Sequence, residues 1–434
     1  MAQGPARAAA GGLRAPRRLV AIAIGYLAGV AAPAHAQAPW TLERLLDRAL
    51  AANPYIAVKE AGVRAAEPRP ALGAAWPEPM FTSGLKNMGL LPSLGRDPGT
   101  ELSLGLAQTI PFPGKARLRG EAAAAGVDRA RADLAQARRD VVRQVKEAWY
   151  DLYDTRRALE INAETRALLA RAAEAAAARY RVGKVSQGDV LRAEVEGARM
   201  SDDRAMLEAR LEAIEANLAR LVGLPPLGTS FGPVATPDLR VPDLAPQQIA
   251  ERVEAGAPAL EIAAAETRAA ERSLELARLD VLPDLTLMGQ VMSRGAMAGG
   301  WELSASVDLP VWYRQKQRQM VAEAEAMVAQ MRRDREKMLA DMLAMAREEL
   351  AMARSAATRE SLLRTSILPR ARLTLQAGLA GYAVGMDDFL MLLEAIMTIQ
   401  GFQREHAAAL VAGNKALARL EALLTQEVTR EGFR

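Results

Sequence analysis

Apolar residues recur along this chain with two different periods. Residues 127–182 contain neither Gly nor Pro, and the same holds for 311–368. In the first stretch Leu134, Val141, Val145, Ala148, Leu152 and Leu159 step by 7, 4, 3, 4 and 7. That spacing keeps one seam turned toward a partner helix. The remaining positions are rich in Arg, Asp and Glu, as on a solvated coiled-coil face. As continuous helices these stretches would each be ~85 Å long. A second helix is expected after each, over about 186–222 and 386–426, so each pair makes a long hairpin.

The other period is two. Leu102, Leu104, Leu106, Gln108 and Ile110 alternate with Ser103, Gly105, Ala107 and Thr109. Leu303, Ala305, Val307 and Leu309 alternate with Ser304, Ser306 and Asp308. Both read as half-buried strands. Partner strands are expected over about 79–90 and 283–293, with turn-rich loops at 91–99 and 293–300.

The order helix, strand, strand, hairpin therefore comes twice. Pro54 and Pro258 open Ala-rich helical segments, Pro77 and Pro283 precede strands, and Pro111 and Pro310 end them. Tyr180-x-Val-Gly183 and Tyr382-x-Val-Gly385 each sit between the two helices of a hairpin. These pairs are 204, 206, 199 and 202 residues apart, so a unit of this size is expected to be duplicated in tandem. Gly183 and Gly385 are expected to end the first helix of each hairpin in a left-handed conformation. The expected domains are 37–223, a linker at 224–246, and 247–434.

Residues 1–36 read as a cleaved export signal. Arg7, Arg14, Arg17 and Arg18 precede an apolar core from Leu19 to Ala32, and Ala34-His35-Ala36 supplies a cleavage site before Gln37. Removing these four Arg from 56 Lys+Arg leaves 52, against 52 Asp+Glu, so the exported chain is formally neutral. That argues against nucleic acid as a partner. With no Cys there is neither a disulfide framework nor an N-terminal lipid attachment. His406 is then the one remaining His, so nucleophile–base pairs and His-based metal clusters are disfavoured. We expect no enzyme, no cofactor and no metal site. No later run of 18 apolar residues would form a transmembrane helix.

The strands still need something to cover their apolar faces. Aromatic residues flank them: Trp76, Phe112, Trp312 and Tyr313 toward one end and Trp301 toward the other. Such girdles and strands of ~10 residues suit a lipid-facing sheet; a small sheet capping a soluble helical bundle is the alternative. Four strands close no barrel alone, so two, three or four copies would have to share one, giving 8, 12 or 16 strands.

The duplicated order, the junction prolines and the tip motif together resemble the TolC-like outer membrane efflux proteins, across essentially the whole exported chain. The resemblance implies a mainly α fold with a membrane β-barrel portion. It implies a homotrimer with a 12-stranded barrel in outer membrane lipid and a helical tunnel across the periplasm. Its implied partners are a periplasmic adaptor and an inner-membrane transporter. The hairpin ends would form the entrance and the adaptor dock. Tyr180, Gly183, Tyr382 and Gly385 match the tip motif, and Asp189 matches an acidic position six residues after Gly183. In the second hairpin the family's two acidic positions fall on Met391 and Glu394, so only the second is acidic here. Asp387 and Asp388 offer negative charge nearby; helix capping is an alternative role for Asp189, Asp387 and Asp388.

Thirteen of 18 Met lie at or after residue 288, and Met331, Met338, Met345 and Met352 are seven apart, with Met327 and Met342 nearby. Thioethers bind soft metals, but this spacing reads as a buried coiled-coil seam. The Met-rich half leans the cargo toward heavy metals. A periplasmic coiled-coil adaptor or scaffold is the alternative function. It would carry one hairpin between β-rich domains and would need no lipid-like strand face.

Overall fold

Prolines and short polar residues set where the helices begin. Thr41 caps α1 (Leu42–Ala52), its hydroxyl accepting from the Arg44 N–H at 3.3 Å. Asn53 ends α1 and caps α2 (Pro54–Ala66), accepting from the N–H groups of Tyr55 at 2.8 Å and Ile56 at 3.4 Å. Pro54 takes the first helical position, where no N–H is needed. Pro258 does the same in the second half. The computed structural model describes residues 40–424 apart from 88, 89, 92–95, 97 and 98. The expected export signal and most of the 91–99 loop lie outside the described residues.

A short helix α3 (Arg69–Ala74) leads to strands β1 (Met80–Lys86) and β2 (Glu101–Ile110). The first hairpin follows, α4 (Lys115–Arg181) and α5 (Gln187–Leu221). Then come α6 (Pro246–Gly256), α7 (Pro258–Leu279), β3 (Leu285–Arg294) and β4 (Met297–Val307). The second hairpin comprises α8 (Gln317–Leu362), a π-helical turn (Leu363–Ile367), α9 (Leu368–Val384) and α10 (Phe389–Leu424).

The strands form one antiparallel sheet in the order β1-β2-β3-β4, so β2 and β3 join the two halves of the chain. Register puts the apolar residues on one face. Leu102, Leu104, Leu106, Leu285, Leu287, Val291, Leu303 and Val307 are all exposed there. The opposite face is polar and internally bonded: Thr109 to Thr286 at 3.0 Å, Gln290 to Glu302 at 2.6 Å, Arg294 Nε to Glu101 at 2.8 Å.

The 293–300 loop is a correction. Only Gly295 and Ala296 turn the chain; Arg294 and Met297 already pair across the ladder. The other glycines of that stretch belong to β4, which puts Trp301 inside the strand, opposite Val291, rather than at its end.

α4 is longer than the breaker-free stretch. Its 67 residues span ~100 Å. It runs through Gly120, where a Cβ would come within 3.0 Å of the Ala74 Cβ; the glycine lets α3 lie directly on α4. At its start, buried Lys115 bridges to Asp284 at 2.9 Å, to Asp280 at 3.4 Å and to the Leu282 carbonyl at 2.8 Å. Asp284 also accepts from the Phe112 N–H at 2.9 Å. The exit from β2 is thus tied to the entry of β3.

The first arm of the second hairpin runs through Pro369 to Gly385, as expected, but not as one uninterrupted α-helix. Proline removes one helical hydrogen bond and crowds the carbonyl four residues back. The π-turn just ahead of it takes up the misfit, and α9 continues to Val384.

α4 packs on α5, α7 and α10, and α8 packs on α7 and α10, giving a layer with α5 and α8 at opposite sides. Val141, Val145, Ala148 and Leu152 of the expected seam are buried with Leu45, Leu218 and Phe231. Lys146–Glu421, Glu147–Arg419 at 2.7 Å and Asp151–Lys415 at 2.7 Å link α4 to antiparallel α10.

The methionine seam is a second correction. Met327, Met345 and Met352 are exposed, and of that group only Met342 is buried. The buried line on α8 is Val328, Met342, Ala346, Leu350 and Ala353. A strict seven-residue repeat drifts ~20° per heptad on a straight helix. The stripe therefore slides off the contact that its spacing suggested.

Two outcomes follow. Lys115→Ala leaves Asp280 and Asp284 facing each other without their cation and should cost about 3 kcal/mol, read as a lowered thermal midpoint. Burial, then Glu421 and Glu43, push the Tyr150 phenol from 10.0 up to about 12. Its contribution is complete below the unfolded value and is lost as pH rises through that window. Tyr150→Phe should flatten the stability profile between those pH values.

Candidate functional site at the hairpin ends

Both hairpins turn by the same hydrogen-bond arrangement. In the first, the Gly183 N–H bonds to the Tyr180 carbonyl and the Lys184 N–H to the Arg179 carbonyl, both at 2.9 Å. In the second, Gly385 bonds to Tyr382 at 3.2 Å and Met386 to Gly381 at 2.9 Å. This is the paired closure of a helix by a left-handed residue. Gly183 has φ +70° and Gly385 φ +83°. Only glycine enters that region without strain. The repeated Tyr-x-Val-Gly is thus a turn code, with the Tyr carbonyl as acceptor.

The two tyrosines have different surroundings. Tyr180 is 45% exposed, whereas Tyr382 is buried at 2%. The Tyr382 ring packs edge-on to Phe389, with centroids 5.6 Å apart. The Arg179 guanidinium lies over the same ring, 4.7 Å from its centroid. Arg179 also donates to the Tyr382 carbonyl at 2.6 Å. One arginine of the first hairpin therefore holds both ring and backbone of the second hairpin's turn. The Tyr382 hydroxyl is buried and has no hydrogen-bond partner among the described residues. Burial pushes its pKa up; Arg179 opposes this, while Asp189 and Asp388 reinforce it. The two carboxylates thus lie close enough for the Tyr382 phenol to feel them.

Capping accounts for two of the acidic residues. The Asp189 carboxylate accepts from the Ser186 N–H at 3.3 Å at the start of α5. Asp388 accepts from the Phe389 N–H at 2.7 Å at the start of α10. Asp387 instead packs on Gly381: any Cβ there would overlap its carboxylate. Met391 and Glu394 are one turn apart on α10 and line an open groove of ≈ 500 Å³ between α9 and α10. Ile367 and Arg370, beside the π-turn, form its other wall.

Sequence reasoning missed Arg179 and Gly381. Both directly precede the motif tyrosine. That position is Arg in the first copy and Gly in the second, the one signal that pointed to them. Far from the tips, Trp76, Trp312 and Tyr313 lie just outside the strands and are exposed, while Phe112 is half-buried between β2 and α4.

Gly381→Ala should displace Asp387 and loosen the second turn, whereas Gly183→Ala should add only backbone strain of about 1 kcal/mol, since nothing lies within 4 Å of a Cβ there. Limited proteolysis of the hairpin ends should show faster cleavage near 385 in the first variant than in the second.

Residues 45–224 match the family described as outer membrane efflux protein. The cobalt-zinc-cadmium resistance protein CzcC of Cupriavidus metallidurans is 25% identical over 300 residues, covering 67% of this chain and 69% of that one. Among solved structures, the outer-membrane channel OprN has a TM-score of 0.76 at 20% identity, over 88% of this chain and 89% of its own. VceC of Vibrio cholerae gives 0.73 at 17% identity, over 88% and 95%. CusC gives 0.73 at 18%, over 88% and 91%. The match to the outer membrane efflux family thus falls on the first half of the chain, and paired hairpins with a shared sheet give the whole described chain the fold of these solved outer-membrane channels.

Proposed function

We propose that three copies of this chain form the exit duct of a tripartite efflux system. Each copy supplies four strands to a 12-stranded barrel in the outer membrane and two hairpins to a tunnel in the periplasm. The observation that carries this is the open sheet with an exposed apolar face. In lipid, the free edges of β1 and β4 would leave backbone groups unsatisfied, and pairing β4 of one copy with β1 of the next removes every edge. Trp76, Phe112, Trp312 and Tyr313 would mark a membrane interface.

Residues 1–36 would direct export, and tandem duplication would relate 37–223 to 247–434 through the 224–246 linker. The hairpin ends would be the periplasmic entrance, with Tyr180, Asp189, Asp387, Asp388, Met391 and Glu394 around the mouth where an adaptor docks. The Arg179–Tyr382 contact would keep the two hairpins of a protomer together until docking parts them. An inner-membrane transporter would select the cargo. The resistance relative supports divalent metal ions as that cargo. A periplasmic adaptor is disfavoured, because two hairpins alternate here with two strand pairs.

The test is fractionation followed by gels of unboiled and boiled outer membranes. A band near three times the monomer mass that collapses on boiling is expected; a soluble periplasmic monomer would sink the duct. A strain lacking the gene should become sensitive to cobalt, zinc or cadmium and recover with the intact gene. Unchanged tolerance to all three would remove the metal assignment and leave the duct standing.

A further inference from the structure

The apolar face of the sheet has a gap in it. Phe81, Leu106, Gly289 and Leu303 form one cross-strand row through all four strands. Ser83, Leu104, Val291 and Trp301 form the next row on the same side. Residues directly opposite across a ladder point the same way. Gly289 therefore leaves the third place of an apolar row empty. A Cβ built there meets nothing within 4 Å, so neither neighbouring leucine leans over it. With strands ~4.8 Å apart, the space between Leu106 and Leu303 is about 10 Å wide.

This space belongs to a groove of ≈ 490 Å³ walled by Phe81, Leu104, Leu106, Val291, Trp301 and Leu303. The walls stand free: Trp301 is 77% exposed, Leu303 70% and Phe81 65%. Glu302 also borders it, but its carboxylate is engaged by the Gln290 amide at 2.6 Å. The backbone of the floor is already paired in the ladder. The groove thus offers no unpaired charge and no unmet backbone bond. A lipid headgroup or an ion would find nothing to hold it.

We infer that this groove seats one acyl chain of a surrounding lipid. The inference rests on the membrane reading above. The occupant follows from continuity: Leu102, Leu285, Leu287 and Val307 extend the same exposed face in both directions, and hydrocarbon covers that face in a bilayer. Water does not enter such a site, and an unfilled void would leave its lining without dispersion partners. A second copy of the chain is required at the edges of the sheet, not on its face. A flexible run of methylenes matches a slot set between two rigid aromatic walls. The seat also gives Trp301 a role inside the strand, away from the interface where tryptophan usually lies.

The experiment uses the full-length protein in phosphatidylcholine vesicles carrying brominated acyl chains, which quench a touching indole. Trp76 and Trp312 are replaced by Phe, leaving Trp301 with Trp40 and Trp149, both packed at the helical core near α1. Trp301→Phe assigns the quenched signal. Brominated and plain chains fill the seat in proportion to their abundance, so an indole facing one seated chain loses fluorescence linearly with the brominated fraction, whereas an indole touched by several exchanging chains loses it more steeply at low fractions. A linear curve is expected in the parent. Gly289→Leu fills the slot and should turn the curve steep; Gly289→Ala should fall between. A steep curve in the parent, or a curve unmoved by Gly289→Leu and Gly289→Ala alike, would overturn the seat. Vesicle flotation separates the two readings. Failure to float would sink the membrane assignment itself, whereas flotation with a steep parent curve would sink only the seat.

Discussion

A backbone N–H or C=O in hydrocarbon has no water to bond, and much of this molecule answers to that constraint. Four strands satisfy their inner ladders and leave β1 and β4 open. Under the proposed duct, those two edges are what neighbouring copies would cover. A two-residue turn links β3 to β4, and the two halves of the chain meet directly along β2 and β3. Where strand gives way to helix, Lys115, Asp280, Asp284 and the Phe112 N–H satisfy one another. The change from a sheet to a helical layer therefore happens without stranded charge.

At the other end of the molecule the two hairpins use one turn design for two purposes. Gly183 and Gly385 close their helices identically. The residue before each tyrosine then makes the copies different. Arg179 reaches out of its own hairpin, and Gly381 makes room for Asp387. The second tyrosine becomes buried between Arg179 and Phe389, while the first stays at the surface. A motif that occurs twice thus has a donor side and a receiver side.

Much of this was legible in the sequence, for identifiable reasons. The strands were visible because Leu102 to Ile110 must alternate to keep one face apolar. The tips were visible because a left-handed residue is nearly always glycine. The failures are equally physical. The π-turn ahead of Pro369 was not legible because it has no sequence signature of its own. The glycines at 299 and 300 read as loop, although they sit inside β4. The methionines read as core because spacing gives a stripe but not its direction, which only the position of α10 decides. Arg179 was hidden because its target lies 203 residues away.

The ion pairs between α4 and α10 have a mechanical consequence. Lys146–Glu421, Glu147–Arg419 and Asp151–Lys415 fall on two successive turns, and farther down Gln403 reaches Glu164 at 3.4 Å. Sliding one helix past the other by a single turn would put every one of these partners out of step at once. Axial translation is therefore the stiff coordinate of this pair, and bending below the last rung is the soft one. The break in helical repeat at 363–367 lies on the adjoining rod, level with the lower part of that ladder. Compliance along this pair of helices is thus graded: stiff at the middle of α4, where the ladder lies, and yielding toward the turns.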